Sequence, residues 1–337
     1  MYETFYKLRA KPFQLNPDPR FFYGSKGHKR AMAYLEYGLT LAEGFIVITG
    51  DVGAGKTTLV RHLLKKLEGQ NVIAAQLVST QLDAEDTLRM VASAYGLEQE
   101  GATKATLLKK LEEFFTACLR QDKRVLLIVD EAQNLTPRAV EELRMLSNFQ
   151  SADRPLLQSF LLGQPEFRRT LQSEGMLQLR QRVIASYHLG PIDAQETRAY
   201  ILHRLELVGW KSDPAITEEA FQLIYEHSGG IPRKINSLCD RLLLLGFLGE
   251  KHTLDKETVQ EVIKDLNQEV AYTELPGDNE PTDLELALDP GALQAQPEVL
   301  ARLEYKLDNM EKSLNRLLPL VRKLLFHAME NNQEKVD

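Results

Sequence analysis

Runs of nearly unbroken apolar residues at 45–49, 72–78, 125–129 and 157–162 punctuate the first half of the chain. Each has the length of a β-strand, and unbroken apolar character is what a strand covered on both faces requires. A fifth run, 183–189, is more polar and is expected toward a sheet edge. Between these runs the apolar residues recur at helical spacing, as in 58–67, 84–94 and 107–119. Strands alternating with helices predict an α/β core on a five-stranded parallel sheet. After Pro191 the strand signal stops. Segments 194–207, 217–227, 232–248 and 255–266 all read as helices, with Pro232 at a first helical position and Asp255 as an N-cap. An all-helical domain is expected there.

The pattern changes again beyond residue 266. Residues 269–296 are acidic and carry Pro276, Pro281 and Pro290, with Pro297 just after, which reads as a linker. Leu300, Leu303, Leu307, Met310, Leu314, Leu317, Val321 and Leu324 then follow in alternating steps of three and four, a heptad seam. Such a seam fits an amphipathic helix docked on its own domain, or association with a second copy or another protein. Four continuous heptads behind a linker favour association in a coiled coil. Pro319 inside the seam removes a backbone hydrogen bond at a cost of about 3 kcal/mol, so a kink or two helical pieces are expected. The expected division is therefore 1–24, an N-terminal segment; 25–190, the α/β core; 191–266, the helical domain; 267–297, the linker; and 298–330, the coiled-coil tail.

Composition narrows the picture only a little. The net charge of −7 is concentrated: seven acids and no Lys or Arg lie between Leu266 and Pro297, so the remainder is neutral. The first thirty residues lean basic, which leaves nucleic acid and acidic membrane surfaces open without demanding either. The longest apolar run, 242–248, is far short of the roughly 18–20 residues a bilayer span needs. The N-terminus lacks an apolar signal core, and Cys118 and Cys239 sit within helical apolar patterns. A cytoplasmic location with buried, reduced thiols is expected.

The chemistry is carried by Gly50-Asp51-Val52-Gly53-Ala54-Gly55-Lys56-Thr57, which follows a predicted strand and opens a predicted helix from Thr58. In that context the glycines let backbone N–H groups turn around phosphates at the positive end of a helix. Lys56 would reach the β- and γ-phosphates of ATP, and the Thr57 hydroxyl would hold Mg²⁺. The strand at 125–129 ends in Asp130 and Glu131. Asp130 can bind the metal through water, while Glu131 either orients and deprotonates an attacking water or caps the next helix. Gln164, at the end of the following strand, can touch the γ-phosphate or the water, or serve as a turn residue before Pro165.

These features together with "HSGGIPRKIN", residues 227–236, resemble the AAA+ ATPases. The resemblance implies a P-loop AAA+ core followed by a helical lid. It also implies that Arg233 is the lid's sensor for nucleotide phosphates, fixed by Pro232 and approached through Gly229 and Gly230. In "LRQRVIASYHL", Arg182 matches the arginine finger offered to a neighbouring subunit's ATP, with Arg180 as the alternative. A ring- or filament-like homo-oligomer would follow. The opening "FYKLRAKPFQLNPDPRFFYGSKGHKRAMAYLEYGL" is more specific. It resembles ATPases related to general secretion pathway protein A and, within them, the exosortase (PEP-CTERM) system-associated ATPase found with exopolysaccharide gene clusters. That implies ATP hydrolysis by direct attack of water, driving an envelope- or polysaccharide-export assembly met through the coiled-coil tail, peripheral to the inner membrane. A DNA-binding regulator of the transposition ATPase type is the alternative, although no helix carries a dense Lys/Arg stripe. Pro17-Asp18-Pro19 reads only as a rigid turn, and Tyr23 and His28 as packing residues or as a wall of an adenine pocket.

Overall fold

The computed structural model describes residues 1–78, 83–151 and 154–273, so the linker beyond residue 273, the heptad seam and the Pro319 kink lie outside the described residues. The chain divides into two units, Met1–Leu266 and Asn267–Asp337, and the sheet, both cores and the helical domain belong to the first. Among the described residues no helix is long and apolar enough to cross a membrane.

The strands in chain order are β1 (Phe45–Gly50), β2 (Val72–Val78), β3 (Arg124–Asp130), β4 (Gln150–Ser151), β5 (Arg154–Pro155), β6 (Gln158–Gly163), β7 (Val183–Leu189), β8 (Ala215–Ile216) and β9 (Thr253–Leu254). Five of them form one sheet in the order β2-β3-β6-β1-β7, every neighbouring pair parallel. The more polar β7 is an edge strand. Side chains of a strand alternate between its faces, and here both faces are covered. Phe45 and Val47 of β1, with Leu127, Val129 and Leu161, belong to one apolar core, while Ile46, Ile48, Ile128, Phe160 and Leu162 belong to another. Two covered faces explain why these strands read as continuous apolar runs.

Helix α1 (Tyr2–Phe5) starts the chain, and α2 (Lys26–Leu41) and α3 (Lys56–Leu67) supply residues to the second core. Helices α4 (Ala84–Ala94), α5 (Lys104–Arg120) and α6 (Pro137–Leu146) supply residues to the first, followed by α7 (Pro165–Gln172) and α8 (Leu177–Arg180). The helical domain holds α9 (Ala194–Leu207), α10 (Glu218–Ser228), α11 (Pro232–Leu248) and the start of α12 (Lys256–Thr273). Side-chain caps set most of these starts: Asp193, Thr217 and Asp255 each accept a backbone N–H three residues on. The strand signal fails here only in small measure, because β8 and β9 pair in parallel over two residues each, too short to show a period. Residues 1–24 do not stand apart. Tyr2, Tyr6, Leu8, Phe13 and Phe21 are buried in one cluster with Ile201, Leu205, Ile224, Leu238 and Leu242 of the helical domain.

Candidate functional site

The carboxyl ends of β1, β3 and β6 lie side by side, with Thr49 opposite Gly163 and Val129 opposite Leu161. After Gly50 the chain turns through Gly53 (φ 84°) and Gly55 (φ 98°), a left-handed backbone that only glycine adopts without strain. A β-carbon on Gly55 would also stand 2.6 Å from His28 Nε2. Helix α3 then begins at Lys56 without any side-chain cap, so its first amide N–H groups are left to the turn and the space before it. Lys56 is 5% exposed, and its Nζ donates to the carbonyls of Gly50 (2.6 Å) and Asp51 (3.0 Å). Burial lowers its pKa, against the opposing pull of Glu131, Asp130 and other nearby acids.

His28 holds the turn from below. Ser25 Oγ caps α2 through the His28 N–H (3.2 Å) and lies 2.7 Å from His28 Nδ1, while the ring makes a backbone hydrogen bond with Ala54. Burial pushes the imidazole down to about 4, so it is neutral at pH 7.

The two acids take different positions. Asp130 is buried; its Oδ2 accepts from Thr57 Oγ1 at 2.9 Å and its Oδ1 from the Glu131 N–H at 3.0 Å. Burial raises its pKa, and those two hydrogen bonds oppose the rise. Glu131 leaves the strand in the left-handed region (φ 55°, ψ 41°), which costs a non-glycine residue about 1–2 kcal/mol. It stands before the short turn Ala132–Asn134 but its side chain caps nothing there. Instead Glu131 Oε2 accepts from Gln133 Nε2 (2.6 Å) and Gln164 Nε2 (3.3 Å), and Gln133 Oε1 accepts the Gln164 backbone N–H (3.0 Å). The chain thus tips Glu131 out of the strand and two amides fix its aim.

The helical domain closes the other side. Gly229 ends α10 at φ 59°, and Gly230 (φ 72°) lies so close to Ile192 that a β-carbon would run into the Ile192 carbonyl oxygen. The Ile192 N–H in turn donates to Gly230 O at 3.0 Å. Helix α11 has no side-chain cap; Pro232 has no N–H to satisfy, and the Arg233 N–H donates to Gly53 O at 3.2 Å. The turn at Gly53 therefore takes up an amide from the helix that carries Arg233. Between the two sides lies a cavity of about 390 Å³, lined by Lys56, Thr57 and Glu131 from the core and by Tyr200, Arg233 and Asn236 from the helical domain.

This arrangement fits a triphosphate and a divalent cation. A polyanion beside Lys56 would favour the ammonium that burial disfavours, and a cation would do the same for Asp130. Hydroxyl and carboxylate oxygens are the donors that Mg²⁺ takes when phosphates and water supply the rest.

Comparison with known proteins agrees with the geometry. Residues 40–171 match the family model of the AAA domain. Cdc6p from Pyrobaculum aerophilum superimposes with a TM-score of 0.58 over 81% of this chain and 74% of that one, at 15% identity. The fold is the P-loop AAA fold. The ORC1 protein of Aeropyrum pernix, solved in complex with DNA, gives the same TM-score of 0.58 over 84% of this chain and 75% of that one, at 16% identity. At these identities both likenesses speak to the fold alone. In sequence the chain is similar to general secretion pathway protein A of Aeromonas hydrophila, 38% identical over 255 residues. The match takes in 75% of this chain and 46% of that protein, so the chain spans about half the length of the curated relative it matches.

In this P-loop AAA fold the turn residues 50–58, Asp130, Glu131, Gln164 and Arg233 converge at one end of the sheet. Arg182 does not join them. Its carbonyl accepts the Phe45 N–H (2.9 Å), which places it at the amino end of β1, roughly 17 Å of strand away from the phosphate turn. The Arg182 guanidinium donates to the Ser147 carbonyl (3.3 Å), while Arg180 ends α8 and is exposed. Sequence reasoning missed Gln133 as the group that holds Glu131 and Gln164 together; its position two residues after the acids was the available signal. It also missed Arg204 and Tyr200 in the cavity wall, for which no local pattern exists.

Proposed function

We propose that the protein binds ATP with Mg²⁺ in this cavity and hydrolyses it. The observation that carries the reading is the pair of contacts at adjacent acids: Asp130 on the Thr57 hydroxyl, and Glu131 turned out of the strand and held by Gln133 and Gln164. Lys56 and the first amides of α3 hold the β- and γ-phosphates. Thr57 and Asp130 hold the metal, which when bound supplies neutralising charge to the phosphate oxygens. Glu131 takes a proton from water as the water oxygen bonds to the γ-phosphorus and the bond to the bridging oxygen breaks, giving ADP and phosphate. Gln164 steadies the carboxylate through its amide, and Arg233, joined by its backbone to Gly53, carries the state of the phosphates to the helical lid.

The arginine-finger role comes from the family resemblance; an arginine at the amino end of the sheet that plays it serves a neighbouring copy's cavity, and turnover would then belong to an oligomer. For that role the exposed Arg180 competes with Arg182, whose guanidinium is engaged with its own chain. The likeness to general secretion pathway protein A supports coupling of this cycle to an envelope-export assembly. The finer placement, beside an exopolysaccharide or PEP-CTERM system, rests on the N-terminal segment.

The test is Glu131→Gln. Steady-state turnover should fall by roughly 10²–10⁴-fold while ATP affinity is retained. Turnover within a few-fold of wild type would remove Glu131 as the base.

A further inference from the structure

The segment around Pro17-Asp18-Pro19 has no part in the phosphate chemistry, yet it lies across the cavity. Asp18 caps the short turn Pro19–Phe21 by accepting the Arg20 N–H (2.9 Å), with Pro19 at its first position. That turn sends neighbouring rings in opposite directions. Phe21 enters the core of the lid, and Phe22 lies against the core beside α3. Asn16, Pro17, Asp18 and Tyr23 line the cavity between them.

Each side is fastened by an arginine. Arg204 of α9 is 6% exposed, and its partners are carbonyls and a hydroxyl: Nε donates to Pro12 O (2.6 Å), Nη2 to Gln14 O (3.4 Å) and Nη1 to Tyr200 Oη (2.7 Å). Its guanidinium lies over the Phe21 ring at 4.8 Å, and Tyr200 Oη donates onward to Asn236 Oδ1 at 2.8 Å. Burying a guanidinium is costly unless its donors are matched, and a planar fork on backbone carbonyls achieves that. On the other side Arg61 of α3 donates to the Pro17 carbonyl, and Phe22 stacks on His62 of the same helix at 4.1 Å. Residues 12–22 are thus a strap fixed to the lid by Arg204 and to the phosphate-binding helix by Arg61.

We propose that Arg204 is a positioning residue for nucleotide retention: it holds the strap as the wall against which the non-phosphate half of a nucleotide rests, and so makes lid and strap close on that half together. The proposal rests on the nucleotide reading above. With the triphosphate on the turn at 50–58, the rest of the cavity, lined by Asn16, Pro17 and Tyr23, is the space left for the remainder of the ligand. Inorganic tripolyphosphate carries the same phosphates and nothing to reach that wall.

Binding of ATP and of inorganic tripolyphosphate, each with Mg²⁺, is measured by calorimetry on the full chain, its Arg204→Met variant and its Arg61→Ala variant. Arg61 is exposed, so its loss leaves the fold intact even if Arg204→Met proves unstable. Both variants should weaken ATP binding, Arg204→Met by roughly tenfold, and leave tripolyphosphate within about twofold. The ATP preference of wild type should shrink accordingly. Equal loss for both ligands, or unchanged ATP affinity in a folded Arg204→Met variant, would overturn the proposal; where that variant does not fold, unchanged ATP affinity in Arg61→Ala would do so. A wild-type chain that binds neither ligand would instead overturn the nucleotide reading on which it rests.

Discussion

The cavity has two walls of opposite construction. On the phosphate side three charged groups, Lys56, Asp130 and Glu131, lie within reach of one another's fields, each held by a neighbour at or near the end of its own strand or loop. On the strap side aromatic rings alternate with short polar and apolar residues, with one buried cation whose carbonyl partners lie 190 and 192 residues away in sequence. The first wall is rigid because its parts are local: two positive-φ glycines, a helix start, a strand end. The second is held because the start of the chain is buried in the lid and tied back to α3 through Arg61 and the Phe22–His62 stack. Damage to the first should strike phosphate binding or chemistry for any ligand. Damage to the second should strike only what a nucleotide has beyond its phosphates.

Lys56→Ala gives the largest effect on affinity and the sharpest test of that division. Removing a charge-assisted contact costs about 3 kcal/mol, roughly 100-fold in affinity. Because the loss is at the phosphates, ATP and tripolyphosphate should weaken together in a calorimetric titration. Selective loss of ATP alone would erase the distinction between the walls.

How far each wall was legible in the sequence follows from the same contrast. The phosphate turn, Asp130 and the parallel sheet could be read because their meaning is contained in ten or so consecutive residues: an apolar run, then glycines or acids where it ends. The place of Arg233 was readable for a related reason, since Gly-Gly-x-Pro-Arg marks a turn and a helix start, whereas its role as a sensor came only from the family resemblance. Gln133 stood in plain view, yet its role depends on two different backbones, the left-handed turn at Glu131 and the end of β6. Arg204 carries no such mark. It sits among alternating polar and apolar residues of α9, and only the return of residues 12–21 over that helix turns a surface-type residue into a buried clamp. The two-residue pair β8 and β9 escaped for want of length, because a period needs several residues to be seen.

His28 lies where the walls meet, beneath Gly55 and 5.7 Å from the Phe22 ring, and it makes the joint acid-sensitive. Its pKa is pushed down to about 4 by burial, below the roughly 6.5 of an unfolded histidine. Between those values the unfolded chain binds a proton that the native protein refuses, so stability is full above pH 6.5 and is lost as the pH falls toward 4. The contribution is about 3 kcal/mol in all, of which about 2 kcal/mol is gone by pH 5. Urea unfolding of wild type and His28→Gln at pH 7 and pH 5 should show a smaller acid loss in the variant. The same pH difference in both proteins would mean that the imidazole is not what titrates.

Gln133→Leu gives the smallest effect and separates the walls from the inside. Leucine keeps the bulk but removes both amide contacts, the one that aims Glu131 and the one that receives the Gln164 N–H. Glu131 then keeps its charge and its left-handed backbone while losing its shortest partner. A base held less firmly costs on the order of tenfold in turnover, and nothing in the phosphate turn or the strap changes. The expected outcome is a lower kcat with ATP affinity within about twofold of wild type, the mirror image of Arg204→Met. If affinity falls and turnover of bound ATP does not, Gln133 belongs to the binding surface, and the division of labour between the two walls is drawn in the wrong place.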